Sequence, residues 1–553
     1  MRTHPVHAKT TDKRLNDSIC AAVIALTVVA LYAHTLHVPW YFDDIPSIVE
    51  NPLIRDLKAC FLRLFSQRGV AIFSFALNYR LGGLSLPGYH AVNIAIHLIA
   101  SWLFFLLLKR VVPSRRPLAL LGCLIFAAHP LQTQAVTYVV QRMASLSALF
   151  FLLSLFLFVR ARESLAAGLK FGAPHHLAFY IGSLAAGVLA VFTKENTAVL
   201  PVALLLFTRF FLPGENNWRE LLKYSAPHLL ACGLALMWLF AIKLLPALLA
   251  GESLADFARA RTQLVVSSRH NSPLYYFVTE LSVLWVYIRM LFLPLGQALD
   301  HNYPVVETLV SPRSVAAFAG LAGLACLAFF LRKRQPLLSC GITWFFLTLA
   351  IESSFLPLDP LFEHRLYLPM FGFVLAVLGL LELLPGPRRQ AVLLCLVLVP
   401  LGGFSIKRNL LWGDPVSFYQ ENLRVVPTSE RVRTNLAQTY GEQGRYREAE
   451  NIAREAIRIN PGYEVAHHNL GVALFYQLRY AEALTEFRAA VRLQPLYVDA
   501  LYSGAGAALG MGDTETAREF ALRLKYLDPQ KASEVERAIQ LAGRKNEKPY
   551  HRE

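Results

Sequence analysis

Apolar stretches of about 20 residues recur along the first three-quarters of this chain, and no other feature restricts the fold as strongly. They lie near 18–38, 89–108, 117–128, 144–159, 177–192, 195–212, 226–246, 276–293, 313–331, 337–355, 366–384 and 390–406. Backbone in hydrocarbon must satisfy its own hydrogen bonds, so such stretches read as helices that cross a bilayer. With 55% hydrophobic and 17% charged residues, the chain reads as an all-α, polytopic membrane helix bundle. From residue 408 the pattern stops, charge becomes dense, and no run is long enough to span. The expected domains are a membrane domain over 1–407, a linker helix over 408–429, a repeat domain over 430–540 and a basic tail over 541–553.

The net charge of +16 does not point to nucleic acid, because much of it sits in short loops between the apolar stretches. Lys109, Arg110, Arg115 and Arg116, then Arg160 and Arg162, Arg332 to Arg334, and Arg388 with Arg389 mark those loops as cytoplasmic. Counting crossings from a cytoplasmic N-terminus, and backwards from residue 406, leaves 247–312 outside. The segment 276–293 then does not cross as a single span; it reads as a re-entrant or interfacial helix with an aromatic start, Tyr275-Tyr276-Phe277. Roughly eleven spans remain, and the odd number places the C-terminal tail outside. The basic run from Arg2 to Arg14 precedes an uncleaved first helix. The seven cysteines form no CxxC motif and imply no disulfide framework.

The notable polar residues all fall on the exterior side. Asp43 and Asp44 follow the first apolar stretch in Trp40-Tyr41-Phe42-Asp43-Asp44. His90 stands early in the second stretch; His129 and Arg142 flank an exterior turn; Lys194-Glu195 and Glu363-His364-Arg365 occupy two others. Ionisable groups at the ends of apolar helices are costly unless paired, so their grouping reads as a shared polar cavity. A carboxylate can take a proton from a hydroxyl nucleophile, here Asp43 with Asp44 orienting it. The same pair can bind a divalent cation such as Mg or Mn through hard oxygen ligands; the residues leave both open. Arg142, Lys194, His364 and Arg365 are the cations placed to hold a phosphate, with His90, His129, Glu195 and Glu363 as supporting polar groups.

The tail repeats. Pro427, Pro461, Pro495 and Pro529 recur at one fixed period. Matching places are held by Leu436, Ala437, Tyr440, Ala449, Ala453 and Ala456, by Leu470, Gly471, Leu474, Ala483, Phe487 and Ala490, and by Gly504, Ala505, Ala508, Ala517, Ala521 and Leu524, with small residues where two helices pack closely. This is the tetratricopeptide pattern, an α-solenoid of stacked helix pairs with a concave groove. Asn435 and Asn469 hold equivalent places on the first helix of successive units, where an amide can grip an extended peptide backbone; Ser503 takes the next place. The repeats of the O-GlcNAc transferases look similar, with an asparagine ladder at this place.

Taken with that tail, several segments resemble the transmembrane-and-tetratricopeptide O-mannosyltransferases and their bacterial relatives. The matching text is Tyr41-Phe42-Asp43-Asp44, Ser74-Phe75-Ala76-Leu77-Asn78-Tyr79, Gly88-Tyr89-His90-Ala91-Val92-Asn93, the run from His129 to Tyr138, Lys194-Glu195-Asn196 and the run from Glu363 to Pro369. The resemblance implies a glycosyltransferase of the GT-C class, using a polyprenyl-phosphate-linked sugar on the exterior face. It also implies that Asp43 and Asp44 serve the acceptor or a metal. The reading is then transfer to a protein hydroxyl or a glycan, at a bacterial inner membrane, with the repeats presenting the acceptor. Two other classes fit less well. An oligosaccharide polymerase or ligase is expected to rely on a large late exterior loop, and a repeat-bearing scaffold needs one or two membrane helices rather than many. A transporter is expected to show paired broken helices, which do not stand out here.

Overall fold

In this computed structural model the described residues are 16–113, 115–212, 218–251 and 272–546. The basic run Arg2–Arg14, part of the segment 247–312 and the end of the basic tail lie outside them. The regular structure of the described residues is all helical, and the chain divides into two compact units after Gly413, with Ala298–Asn302 grouped with the second.

The first unit holds α1 (Asp17–Tyr32), α2 (Leu57–Leu62), α3 (Gly69–Gly82), α4 (Leu86–Val111), α5 (Arg116–Ala128), α6 (Thr133–Val136), α7 (Arg142–Ala166), α8 (Pro174–Thr193), α9 (Leu200–Phe211) and α10 (Trp218–Leu249). It continues with α11 (Pro273–Phe292), α12 (Pro312–Leu331), α13 (Pro336–Leu349), α14 (Pro369–Leu381) and α15 (Pro387–Trp412). Prolines open many of these helices, where the missing N–H removes nothing. Among the described residues, 8 helices are long and apolar enough to cross a membrane, or 9 if α5 and the bent continuation Pro130–Val136 count as one. The helices α13 and α14 are shorter and pair tightly: a Cβ on Gly341 would lie 2.4 Å from the Gly372 carbonyl oxygen, so only glycine allows the approach.

One end of this bundle carries the long connections and is cross-linked by buried hydrogen bonds. Near the end of α15, Asn409 accepts from the Thr137 hydroxyl at 2.7 Å and donates to the Leu31 carbonyl at 2.8 Å. Ser405 donates to the Ala128 carbonyl at 2.6 Å, and the Tyr41 hydroxyl donates to the Trp412 carbonyl at 2.6 Å. The end of α1, the end of α5 and the segment 129–142 are thereby fixed against α15. Asn409 and Trp412 are buried in the bundle, so the membrane helix runs five residues past the expected boundary at 407. The expected linker 408–429 is divided accordingly, its first residues in this bundle and its Pro415–Val425 helix in the second unit.

Length and composition alone would let α11 cross a membrane. Its contacts, however, run to one end of the bundle. Near its start, the Tyr276 hydroxyl donates to the Glu352 carbonyl at 2.7 Å. Further along, the Tyr287 hydroxyl donates to the Phe362 carbonyl at 3.2 Å. At its end, His129 Nε2 meets the Leu291 carbonyl at 3.0 Å. Beyond it, the Gln297 amide donates to Pro130 O at 3.2 Å. All these partners belong to the loop-bearing end, so both ends of α11 are held there.

The second unit begins with α16 (Pro415–Val425) and continues as three helix pairs: α17 (Glu430–Glu442) with α18 (Tyr446–Ile459), α19 (Glu464–Tyr476) with α20 (Tyr480–Leu493), and α21 (Val498–Gly510) with α22 (Thr514–Leu527). A last helix, α23 (Pro529–Asn546), covers the stack and extends beyond the expected limit of 540. Side-chain size is complementary within each pair. Ala437 and Ala453 are both small and buried, whereas in the next unit a Cβ on Gly471 would meet the Phe487 ring at 2.7 Å. The small-residue periodicity therefore marks the close approach of paired helices.

Candidate active site

The two aspartates differ in environment. Asp43 is exposed and Asp44 is fully buried. Asp44 accepts the Tyr41 N–H at 3.0 Å on one carboxyl oxygen and the Val140 N–H at 2.7 Å on the other. It thereby latches the first loop to the segment before α7. Burial pushes its carboxyl up to about 8, against the opposing pull of those two N–H donors. The backbone N–H of Asp43 donates to the Tyr138 hydroxyl at 2.8 Å, which holds this residue from the same segment. Phe42, just before it, has a φ of 49°, a left-handed conformation that a non-glycine residue adopts at a cost of roughly 1–3 kcal/mol. The turn is therefore held in place from outside, and it aims Asp43 outward while Asp44 turns in.

This geometry does not fit the pair as a two-carboxylate metal site, because the Asp44 carboxyl is fully buried and turned to backbone donors while Asp43 is exposed. Among the described residues no group of three or more His, Cys, Asp or Glu side chains is placed to hold a metal ion.

Arg142 is brought near the aspartates, but not as a ligand-facing cation. Its side chain is fully buried. Nε donates to Asn93 Oδ1 at 2.6 Å, one terminal nitrogen to Asn78 Oδ1 at 2.7 Å and to Ser74 O at 3.2 Å, and the other to Tyr89 O at 2.9 Å. The guanidinium also lies over the Phe75 ring, 4.6 Å from its centre. All its nitrogens are occupied by neighbouring chain segments, and the residue pins α3 and α4 to the start of α7. The expected phosphate contact at Arg142 is thus replaced by a structural one. The resemblance segments around Ser74, Asn78, Tyr89 and Asn93 are the partners of this one side chain.

A second cluster centres on Glu352, which the sequence did not single out. The Glu352 carboxylate meets Lys194 Nζ at 2.7 Å, the Asn196 amide at 2.8 Å and Arg365 Nε at 3.8 Å. Burial pushes the Glu352 carboxyl up, but Lys194 and Arg365 together outweigh it and hold it below the usual carboxylate range. The terminal nitrogens of Arg365 donate to Pro360 O at 2.8 Å and Asp359 O at 2.7 Å. Arg365 is therefore also engaged within the protein, clamping the approach to its own turn. The His364 backbone N–H donates to Gln134 Oε1 at 2.7 Å. Burial, with Lys194, Arg365 and Arg68 nearby, holds the His364 imidazole well below its usual value, so it is neutral at pH 7. Of the four residues expected to hold phosphate, Lys194 keeps spare donor capacity: one carboxylate engages an ammonium that carries three protons.

The supporting residues tie the loops together. His90 Nε2 meets Val38 O at 2.9 Å, His129 holds the end of α11, and Glu363 accepts from the Gln297 amide at 2.8 Å. Glu195 lies half-buried beside Lys194, with one carboxyl oxygen that has no hydrogen-bond partner. Glu280 on α11 is also fully buried, and its charge is felt by Arg365. The segment 129–142 joins the two clusters, through Tyr138 and Val140 to the aspartates and through Gln134 to His364.

In the repeats, the asparagine amides are turned to internal contacts. The Asn435 amide donates to Arg431 O of its own helix at 2.8 Å, and the Asn469 amide donates to Thr434 O of the preceding unit at 2.8 Å. Asn469 thus straps successive units together. The expected peptide-gripping ladder is not presented by these two donors.

Comparison with known proteins agrees with this architecture. Tetratricopeptide repeat models match residues 431–460 and 468–532. A protein O-mannosyl-transferase of Caenorhabditis elegans is 25% identical over 77% of this chain and 61% of its own length. Protein O-mannosyl-transferase TMTC1 of Homo sapiens is 25% identical over 78% of this chain and 54% of its own, and that of Mus musculus is 25% identical over 78% and 57%. The chain therefore spans little more than half the length of these relatives. Among solved structures, the APC/C hetero-tetramer Cut9-Hcn1 aligns over 87% of this chain and 90% of its own at 14% identity, with a TM-score of 0.24, too low to bear on the fold. Over about three-quarters of its length this chain is therefore similar to protein O-mannosyl-transferases, and its C-terminal part matches tetratricopeptide repeats.

Proposed function

We propose that the chain is a membrane glycosyltransferase that moves a hexose from a polyprenyl-phosphate-linked donor to a Ser or Thr hydroxyl of a protein on the exterior face. The observation that carries this reading is the split between the two aspartates: a buried Asp44 latch holds an exposed Asp43 carboxylate on the loop-bearing end of an apolar bundle. An alcohol is a poor nucleophile at neutral pH, and Asp43 is the group that takes its proton as the oxygen attacks the anomeric carbon. The bond from that carbon to the phosphate oxygen breaks, and its electron pair leaves with the lipid phosphate. Lys194, held in place by Glu352, offsets the charge that develops there. The neutral His364 and the clamped Arg365 shape the surroundings without competing for the proton. The repeats present the acceptor. Mannose, the sugar in the relatives' names, is the first donor to try.

The test is intact-mass analysis of envelope proteins from cells with and without this chain. Loss of hexose-sized increments is the expected result. Identical mass profiles, with the protein shown to be expressed, reject the reading.

A further inference from the structure

The first loop holds a cation with no role in the clusters around Asp44 and Glu352. Arg68 sits between α2 and α3, exposed, with no hydrogen-bond or ion-pair partner for its guanidinium among the described residues. Its position is nevertheless rigidly set. Arg68 has a φ of 58°, in the left-handed region, at the very start of α3. The next residue, Gly69, is packed so closely that a Cβ there would lie 2.2 Å from Arg63 O and 2.5 Å from Leu64 O. No other residue type fits this turn without moving backbone.

The turn is anchored beside Lys194. The Phe65 ring stacks edge-on against Phe192, with ring centres 5.1 Å apart, and Phe192 is two residues before Lys194. The indole N–H of Trp238 on α10 donates to Phe65 O at 2.9 Å. Arg68 is close enough for its charge to be felt at Lys194 and to help keep His364 neutral. Strain held in place by surrounding contacts is a feature of functional turns, and here it sets the backbone that carries Arg68 next to Lys194, whose ammonium is paired with Glu352 and keeps donors to spare. An unpartnered guanidinium beside an ammonium with spare donors leaves more positive charge here than Glu352 neutralises, which suits an anion. Arg142 and Arg365 cannot supply that contact, because their nitrogens are engaged with protein oxygens.

Resting on the glycosyltransferase reading above, we propose that Arg68 and Lys194 together form the phosphate subsite, with Arg68 as the loop-borne half that grips the lipid phosphate. The guanidinium offers paired N–H donors matched to phosphate oxygens, and the ammonium adds a point charge. The released lipid phosphate carries more negative charge than the sugar-linked donor. The subsite therefore favours the leaving group and draws the bond-breaking step forward.

The test uses the full chain in neutral phosphatidylcholine nanodiscs, with undecaprenyl phosphate as the probe and undecaprenol as the phosphate-free control. The wild-type chain binds the phosphate lipid and not the alcohol. Arg68→Gln weakens that binding roughly 10–100-fold, the value of a lost charge-assisted hydrogen bond. Arg68→Lys falls between the two, and Arg80→Gln, at the other end of α3, binds like wild type. Thermal unfolding of Arg68→Gln stays within about 1 °C of wild type, since an unpartnered exposed side chain adds little stability. Wild-type affinity in both Arg68→Gln and Arg68→Glu overturns the subsite while leaving the glycosyltransferase reading intact. Failure of the wild-type chain to distinguish phosphate from alcohol removes the lipid-phosphate donor itself, and the subsite with it.

Discussion

Asp43 and Asp44 are neighbours with opposite duties, and substitution separates them. Asp43→Asn keeps size and removes a charge from an exposed position, so stability is unchanged while transfer falls by about 10²–10⁴. Asp44→Asn acts differently. Asparagine offers one acceptor oxygen where Asp44 offers two, and its NH2 group faces either the Tyr41 or the Val140 N–H. One buried backbone donor is then orphaned, at about 1–3 kcal/mol, and a lower melting temperature follows. Thermal unfolding and a transfer assay on both variants check this. Equal stability loss in the two, or full activity in Asp43→Asn, rejects the division of roles. Arg142 gives the same lesson. An arginine at the end of an apolar stretch looks like a phosphate ligand in sequence, yet the fold surrounds it with neutral oxygens from Ser74, Asn78, Tyr89 and Asn93. Which donors remain available is decided by partners, and partners are not local in the chain.

Two elements show how packing overrides pattern. The helix α11 has the length and apolarity of a span, but Tyr276, Tyr287, His129 and Gln297 fasten both its ends to the loop-bearing end. Loop charge by itself leads to the expectation that 276–293 does not cross as a single span. Single cysteines introduced at position 272 and at position 295, in a background without the native cysteines, are expected to react with a membrane-impermeant maleimide from the same side. Labelling from opposite sides would make α11 a span and reverse the side assigned to the repeats. In α19, His467 Nδ1 lies 2.7 Å from Glu486. The hydrogen bond to Glu486 raises the His467 imidazole above its usual value, with burial opposing it. A raised folded-state value means the stabilisation is fully present below the unfolded value of about 6.5 and is lost as pH rises through the folded one. Amide exchange over 464–493 in the full chain, corrected for intrinsic rate, should show weaker protection as pH rises above about 6.5, and His467→Gln should remove that dependence. An identical pH profile in the variant would assign the effect to another group.

At the scale of the molecule, periodic features were legible and convergent ones were not. The tetratricopeptide units begin at Glu430, Glu464 and Val498, in step with the proline spacing, because each unit repeats the same close helix approach and needs small residues at the same places. The membrane bundle was legible for a similar reason: hydrocarbon imposes one local requirement, an apolar helix, on every crossing. Loop charge groups the polar residues at one end of the bundle, and the structure brings them together there. What the tertiary structure alone decided is which of those groups remain available. Asp44 turns inward to a donor 96 residues away, and Asn196 reaches a carboxylate 156 residues away. Glu352 and Arg68 escaped notice because one stands at the end of an apolar run and the other in an ordinary polar loop; only the fold brings them to Lys194. Secondary structure and membrane insertion follow from the residues within a turn or a span, and the sequence alone determines them. The distribution of hydrogen-bond partners among buried charges depends on segments far apart in the chain, so the capacity of each charge to meet a ligand is set only when the tertiary structure closes.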